Sequence, residues 1–359
     1  MQLRPSIPAD AIFFRQSDPG AAVSETIRFP APGPGFSANR VSKTAQRPRR
    51  RTRLERGTAK PTDMRLNRKG IVHRSFLGRS GDRPACGGEP MNRNEVNGMV
   101  VTSKDNPLVK EWRQLCRETK RRRQSGCFAL EGARLCGDAL SSGLPVRAVL
   151  YTPAARETYG AAVEALTAAA EQTAEITPEL AQYMADTATP QGVFCIAKIL
   201  DNPLSLDTID TMGRYGLLED IQDPGNVGTM IRTAEALGLD GLVLSAGCCD
   251  VYNPKVLRSS MGGVFRLPML TGVSMPEAIR TLQERGMRAY ACVVDADACP
   301  VQTAVFGPGS LCVIGNEGNG LRPETVAACA RRITIPMTGR AESLNASLAA
   351  GIVMWEMRR

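Results

Sequence analysis

From about residue 214 to the C-terminus, short apolar runs alternate with amphipathic stretches, and this pattern most narrows what the chain can fold into. Strands are expected at 216–221, 241–245, 289–294, 310–314 and 332–335. Helices are expected at about 227–238, 253–260, 276–285, 323–331 and 345–357. Strands that alternate with helices pair in parallel, because each crossover helix must return the chain to the same sheet end. The expected architecture is therefore α/β, a parallel sheet with helices on both faces.

Three of these strands run into loops rich in glycine and asparagine. The first is Asp223-Pro224-Gly225-Asn226-Val227-Gly228, continuing to Arg232. Asn226 stands where a helix N-cap is expected, ahead of Val227, Met230, Ile231, Ala234 and Leu237 at helical spacing. Side chains on a helix lean toward its N-terminus. Gly228, four residues before Arg232, is expected to leave room for the guanidinium to reach toward Asn226. A cation and an amide at a positive helix end suit a phosphate or a polar substrate; a plain cap with a surface arginine is the simpler reading.

The second loop is Gly315-Asn316-Glu317-Gly318-Asn319-Gly320, where glycines permit close approach of a ligand to the backbone and Glu317 is the only ionisable group. Taken alone it is an ordinary strand-to-helix loop, and its spacing is not that of a dinucleotide fingerprint. The third runs from Ile335-Pro336-Met337 to Ser343-Leu344-Asn345, with Ser343 or Asn345 as cap of a last helix. That helix has a slim face of Ala346, Ala349, Ala350 and Gly351, suited to close packing. Between the first two loops, Lys255 and Arg258 share one helical turn, as a surface face or a phosphate contact.

Residues 99–200 read as a separate small α/β unit: a short strand and turn from Val100, a helix from about Leu108 to Arg123, and a second helix after Gly132. A strand follows at 146–151, then an alanine-rich helix at about 160–171 and a closing strand at 191–197. Residues 201–213 are polar and read as a linker, leaving 214–359 as the larger unit.

Residues 1–98 lack periodicity and carry 19 Lys and Arg against 8 Asp and Glu. The overall charge of +9 thus belongs to this stretch, since the remainder is close to neutral. Its composition does not support a core, so it is expected to be disordered. Met91 and Met99 stand just ahead of the first periodic segment, and 1–98 is read as an extension outside the native protein rather than an RNA-tethering arm. Eleven cysteines without C-x-x-C spacing point to a reducing, cytoplasmic setting. Neither a signal peptide nor a membrane-spanning run is expected. The single histidine, His73, makes a histidine base or metal site implausible, and no metal is expected.

The three loops, in this order, resemble the SpoU (TrmH-like) family of RNA ribose 2′-O-methyltransferases over roughly 99–359. The resemblance implies a trefoil-knotted (SPOUT-like) C-terminal domain that binds S-adenosylmethionine, preceded by a ribosomal-protein-like RNA-binding domain, in a homodimer. By position it implies cofactor contacts at Gly315, Ile335, Met337 and Leu344, and catalytic residues Asn226, Arg232, Glu317, Ser343 and Asn345. Glu317 or a phosphate oxygen is the expected acceptor of the ribose proton. Lys104, Asn106, Pro107, Phe128, Glu131 and Gly132 stand at typical places of the RNA-binding domain. Lys104, Arg121, Arg122, Lys255 and Arg258 are the expected RNA contacts. The two-domain layout favours ribosomal RNA, 23S first, over transfer RNA. A non-catalytic RNA-binding or ribosome-assembly protein of the same fold is the alternative from another class. A nucleotide-dependent oxidoreductase is disfavoured by the missing fingerprint.

Overall fold

The computed structural model describes residues 100–199 and 204–359. The basic extension 1–98, with His73 and Met91, Met99 beyond it, and residues 200–203 at the start of the linker lie outside the described residues.

The N-terminal unit runs α1 (Pro107–Arg117), α2 (Thr119–Ser125), β1 (Cys127–Glu131), α3 (Ala133–Ser141), β2 (Val146–Tyr151), α4 (Pro153–Thr158), α5 (Gly160–Ala169), β3 (Gln172–Glu175), α6 (Pro178–Met184) and β4 (Val193–Lys198). Its sheet has the order β1-β4-β2-β3, with β4 antiparallel to both neighbours and β2 parallel to β3. Strands with both faces covered read as continuous apolar runs, and β1 does so. Its Phe128 and Leu130 face one core, while Cys127 and Ala129 face the other with Trp112, Leu115 and Phe194. The Trp112 indole N–H donates to the Leu130 carbonyl at 3.3 Å, and its ring meets Phe194 edge-on.

The single helix expected over 108–123 is two. Glu118 is extended, and the chain restarts as α2. The last carbonyls of a helix have no partner within it. Here the Arg122 guanidinium folds back and donates to the Leu115 and Cys116 carbonyls at 2.6 and 3.2 Å. The short strand expected from Val100 is one bridge, Val101 to Ile176. β3, α4 and α6, short and weakly periodic, were not expected.

The C-terminal unit runs β5 (Tyr215–Leu218), α7 (Pro224–Ala236), β6 (Gly241–Ser245), α8 (Pro254–Ser260), β7 (Met269–Val273), α9 (Met275–Glu284), β8 (Arg288–Cys292), β9 (Cys299–Pro300), β10 (Ser310–Ile314), α10 (Pro323–Ala328), β11 (Arg331–Thr334) and α11 (Ala346–Arg358). All seven strands are parallel, in the order β7-β6-β5-β10-β8-β11-β9. Alternate residues serve opposite faces. Leu218, Leu242, Leu244 and Cys312 pack on the side of α7, α8 and α11. Leu217, Val243, Leu311 and Val313 pack on the side of α9. β7 was missed because only its first residue is buried, so a sheet-edge strand leaves almost no apolar pattern.

The two units share a core. Phe128 stacks at 4.7 Å on Tyr252 and lies 6.1 Å from Phe265, both beyond the linker in sequence. The described part of the linker is packed: Ile209 is buried, and the Arg285 guanidinium donates to the carbonyls of Leu206 and Ile209.

Candidate active site

β5 and β10 are adjacent, with Leu218 opposite Ile314, so the first two loops leave the sheet side by side at its C-terminal edge. Ligands of open parallel sheets sit beyond this edge, where neighbouring loops part. The third loop follows β11, two strands from β10, and carries the chain to α11, which packs on α7 and β10.

The expected N-cap is corrected. Asp223 caps α7, its Oδ1 accepting from the Asn226 N–H at 2.9 Å, with Pro224 in the first turn. Proline fits there because its missing N–H would have had no helical partner. Asn226 is thereby freed from capping, and its side chain reaches across to the other loops.

Its amide Nδ2 donates to Glu317 Oε1 at 3.0 Å, and its Oδ1 accepts from Asn345 Nδ2 at 3.1 Å. Asn345 in turn caps α11, its Oδ1 accepting from the backbone N–H groups of Ser347 and Leu348. The direction of this chain is set at both ends. An ionised carboxylate only accepts, and helix N-terminal N–H groups only donate, so each amide has one orientation that satisfies its neighbours. One residue from each loop thus forms a continuous line, Asn345–Asn226–Glu317.

Glu317 also accepts from the backbone N–H groups of Gln222 and Asp223. Burial alone would raise its carboxyl, but Asn226 and these backbone donors outweigh that and hold it below the usual carboxylate range. A carboxylate so engaged is a holder of loops.

The second and third loops enclose a cavity of about 430 Å³ beside this line, within the range of cofactor pockets. Gly315, Glu317, Ile335, Met337, Ser343 and Leu344 line it together. Its walls combine aliphatic side chains, including Ile314 and Val353, with polar ones, including Asn319 and Thr334. Gly315 is required by close approach: a Cβ there would stand 2.3 Å from the Gly320 carbonyl carbon and 2.4 Å from the Leu321 nitrogen. A cavity of this size with both aliphatic and polar walls fits a nucleoside-bearing cofactor such as S-adenosylmethionine.

Four residues to which the sequence reading gave no role, Asn316, Asp220, Ser245 and Arg322, shape this loop. Asn316 donates to the Asp220 carbonyl at 2.7 Å, and its Oδ1 accepts from the Gly318 and Asn319 N–H groups. Asp220 has φ of +53°, uncommon for a non-glycine residue and tolerated best by Asp and Asn. Its carboxylate takes the Ser245 hydroxyl at 2.7 Å and pairs with Arg322. Burial pushes the Asp220 carboxyl up, and these two partners more than compensate, so it lies low. The only available signal for Asp220 was its place two residues after β5.

Arg232 is exposed, and its side chain makes no hydrogen bond or ion pair among the described residues. It does not line the cavity. The space expected above Gly228 does not exist: a Cβ there would lie 1.9 Å from Ser259 Oγ, because α7 and α8 touch at this glycine.

The expected RNA contacts divide. Arg122 is corrected: it is 2% exposed and pairs at 2.7 Å with Asp250 of the C-terminal unit, besides capping α1. It is therefore an internal clamp, unable to meet a phosphate. Lys104 is exposed and lies over the Tyr183 ring, which Arg113 also covers. Arg121 is half-buried. Lys255 pairs with Asp223, and Arg258 with Asp186, so both stay at the surface with partners. Among the described residues no group of His, Cys, Asp and Glu could hold a metal, and no helix is long and apolar enough to cross a membrane.

A parallel sheet with a cofactor-sized slot at its C-terminal edge, fused to a small α/β unit, defines a cofactor-dependent enzyme carrying its own substrate-binding domain. Residues 215–355 match the SpoU rRNA Methylase family, and residues 106–195 match the MRM3-like substrate binding domain. The chain belongs to the SpoU methylase family. It is 34% identical to an uncharacterized tRNA/rRNA methyltransferase of Synechocystis, covering 72% of this chain and 93% of that one. It is 30% identical to the 23S rRNA (guanosine(2553)-2′-O)-methyltransferase RlmP of Bacillus subtilis, covering 72% and 98%. Among solved structures, the AdoMet-bound rRNA methyltransferase of Sinorhizobium meliloti superposes with a TM-score of 0.65 at 29% identity, covering 72% and 97%. The AviRb methyltransferase of Streptomyces viridochromogenes, in complex with AdoMet, gives 0.64 at 31%, covering 70% and 97%.

Proposed function

We propose that this protein transfers a methyl group from S-adenosylmethionine to a ribose 2′-hydroxyl of ribosomal RNA, 23S RNA being the favoured substrate. The observation that carries the proposal is the Asn345–Asn226–Glu317 line beside the cavity lined by Gly315, Ile335 and Leu344. Relatives that act on 23S ribosomal RNA, matched along nearly their whole length, support the substrate.

The cofactor supplies an electrophilic methyl group, so the chain's residues need only position a weak nucleophile and handle its proton. In this reading Asn226 orients the ribose or its phosphate, held by Glu317 on one side and Asn345 on the other. Ser343 stands at the cavity wall near the reacting centre. Arg232 stabilises charge on the oxygen and holds the neighbouring phosphate; a guanidinium stays protonated in proteins and is a poor base. The proton passes to a phosphate oxygen or solvent rather than to Glu317, whose carboxylate oxygens are already engaged by four donors.

The same reading makes the protein a homodimer. Leu348 and Trp355 are more than half exposed and lie with Ile352 along one face of α11, a costly arrangement for a monomer in water. α11 packs on α7, which carries Arg232, and a Cβ on Gly351 would lie 3.7 Å from Thr233 Cγ2, so a second copy docked on this face would also lie near Arg232. The family's trefoil knot is part of the proposal, supported by the return of α11 to α7 and β10 after β11.

Labelled methyl transfer to RNA from cells lacking this protein tests the reading. The label should enter ribosomal RNA as an alkali-stable dinucleotide, and Arg232→Ala should abolish it. Arg232→Lys should be nearly as inactive; a near-normal rate would remove the role given to the planar guanidinium.

A further inference from the structure

A second cleft, of about 280 Å³, lies between the two units, walled by α3 and the 187–191 loop on one side and by the end of α8 on the other. Its walls are Leu135 and Met261, and its polar groups come from Arg134, Asp138, Thr189 and Gln191, with Arg258 at the margin. It shares no lining residue with the cavity of the glycine loops.

Met261 is the unusual feature. It has φ of +50°, one of two non-glycine residues with positive φ among the described residues, and is more than one-third exposed. A long apolar side chain in a left-handed conformation, presented to solvent at the end of a helix, is strained twice over. Such outliers concentrate where a ligand is clamped. Glycine, the usual residue at this position of a helix end, stands one place later as Gly262.

The charges around the cleft are unevenly matched. Glu131 is committed to the Asp186 N–H and the Thr187 hydroxyl. Asp186 is matched by Arg258 at 2.7 Å. Gln191 Oε1 accepts from the Ala133 N–H at 2.9 Å, which leaves its amide Nε2 as a free donor. Arg134, exposed in the first turn of α3, makes no ion pair among the described residues. The cleft therefore offers two apolar walls, a free amide donor, a carboxylate acceptor in Asp138 and an unmatched guanidinium at its mouth.

We infer that this cleft receives one unpaired nucleotide of the substrate RNA, its base between Leu135 and Met261 and its phosphate on Arg134. Unstacked bases held between side chains, with hydrogen bonds to their edges, are the usual means by which proteins read single-stranded RNA. Because the walls come from both units, such a nucleotide would register the substrate-binding domain against the methylase domain. The inference rests on the RNA-methylation reading, and its test separates the two.

The test uses the whole chain and compares wild type with Met261→Gly, Thr189→Trp and Arg134→Glu. Affinity for protein-free 23S ribosomal RNA is measured by filter binding without cofactor, beside methyl-transfer kinetics, S-adenosylmethionine binding and melting temperature. Met261→Gly should hold or raise the melting temperature while weakening RNA about fivefold. Thr189→Trp, neutral and at the exposed rim, should block the cleft and raise KM about tenfold with kcat unchanged. Arg134→Glu should do the same and flatten the salt dependence. Wild-type RNA affinity and KM in both Met261→Gly and Thr189→Trp would overturn the subsite, even if Arg134→Glu binds less, since surface charge alone would explain that. RNA bound by wild type and released by the variants, with no methyl transfer, would keep the subsite and defeat the methyltransferase reading. Absence of RNA binding by wild type would defeat both.

Discussion

Replacing Arg122 with alanine should unsettle the fold without touching RNA affinity through charge. The guanidinium is 2% exposed and donates to Asp250 Oδ2 through Nε at 2.8 Å and through Nη2 at 2.7 Å. It also serves the Leu115 and Cys116 carbonyls and the Thr119 hydroxyl. Alanine leaves a largely buried carboxylate without its cation and reopens the end of α1. Breaking a buried pair from one side costs about 3–5 kcal/mol. Asp250, at 16% exposure, regains some water, which places the loss in the lower half of that range. A fall in melting temperature of roughly 10 °C is expected from about 2–4 °C per kcal/mol in a chain of this size. Replacing the pair together, Arg122→Met with Asp250→Leu, should recover more than half of it, because neither charge is then stranded. Calorimetry and urea unfolding read the stability. The second readout is the salt dependence of RNA affinity, whose logarithmic slope falls by roughly 0.7–0.9 for each phosphate that the protein ceases to neutralise. That slope should be unchanged in Arg122→Ala at a temperature where the variant is folded. A variant of wild-type stability whose slope falls by about one would refute the clamp and restore Arg122 as an RNA-binding residue.

Gly315→Ala should weaken S-adenosylmethionine at least tenfold by calorimetric titration with the far-UV spectrum unchanged. Its Cβ would collide with backbone atoms that cannot move aside singly, opening the paired hydrogen bonds between Asn316 and Gly320. Glu317 lies below the ordinary carboxylate value of 4.5, so its contribution to stability is complete above that pH and disappears as pH falls through the depressed value. Carbon-detected NMR titration should find its midpoint below that of an ordinary glutamate, and Asn226→Ala should move it upward; no upward movement would count against the Asn226 bond as a cause. Gly228→Ala forces a methyl against Ser259 Oγ and the Val256 carbonyl. Overpacking of about 1–3 kcal/mol, less about 1 kcal/mol of gained helix propensity, should leave a small net loss of stability in urea unfolding. Ser259→Gly in the same chain should relieve part of it.

How far the sequence reached differs between fold and site. Apolar periodicity is a local property of the chain, so it located β6, β10 and the crossover helices within a few residues. It failed at β7, where the edge position leaves only Met269 buried, and at Glu118, where one extended residue breaks a continuous amphipathic pattern. The site was legible as three glycine- and asparagine-rich loops, since glycines needed for close approach mark themselves. Its wiring was not. Asn226 looks like a cap from sequence because capping is a local rule, and only the proximity of Glu317 and Asn345, 91 and 119 residues away, shows what its amide does. Arg122 looked like one more cation in a basic run, because exposure is decided by what packs over a residue. Asp250, 128 residues downstream, made it internal. Composition and spacing therefore determined the elements and the loops that matter. Tertiary structure alone decided which polar groups meet, because hydrogen bonds and burial depend on distances that spacing along the chain does not encode.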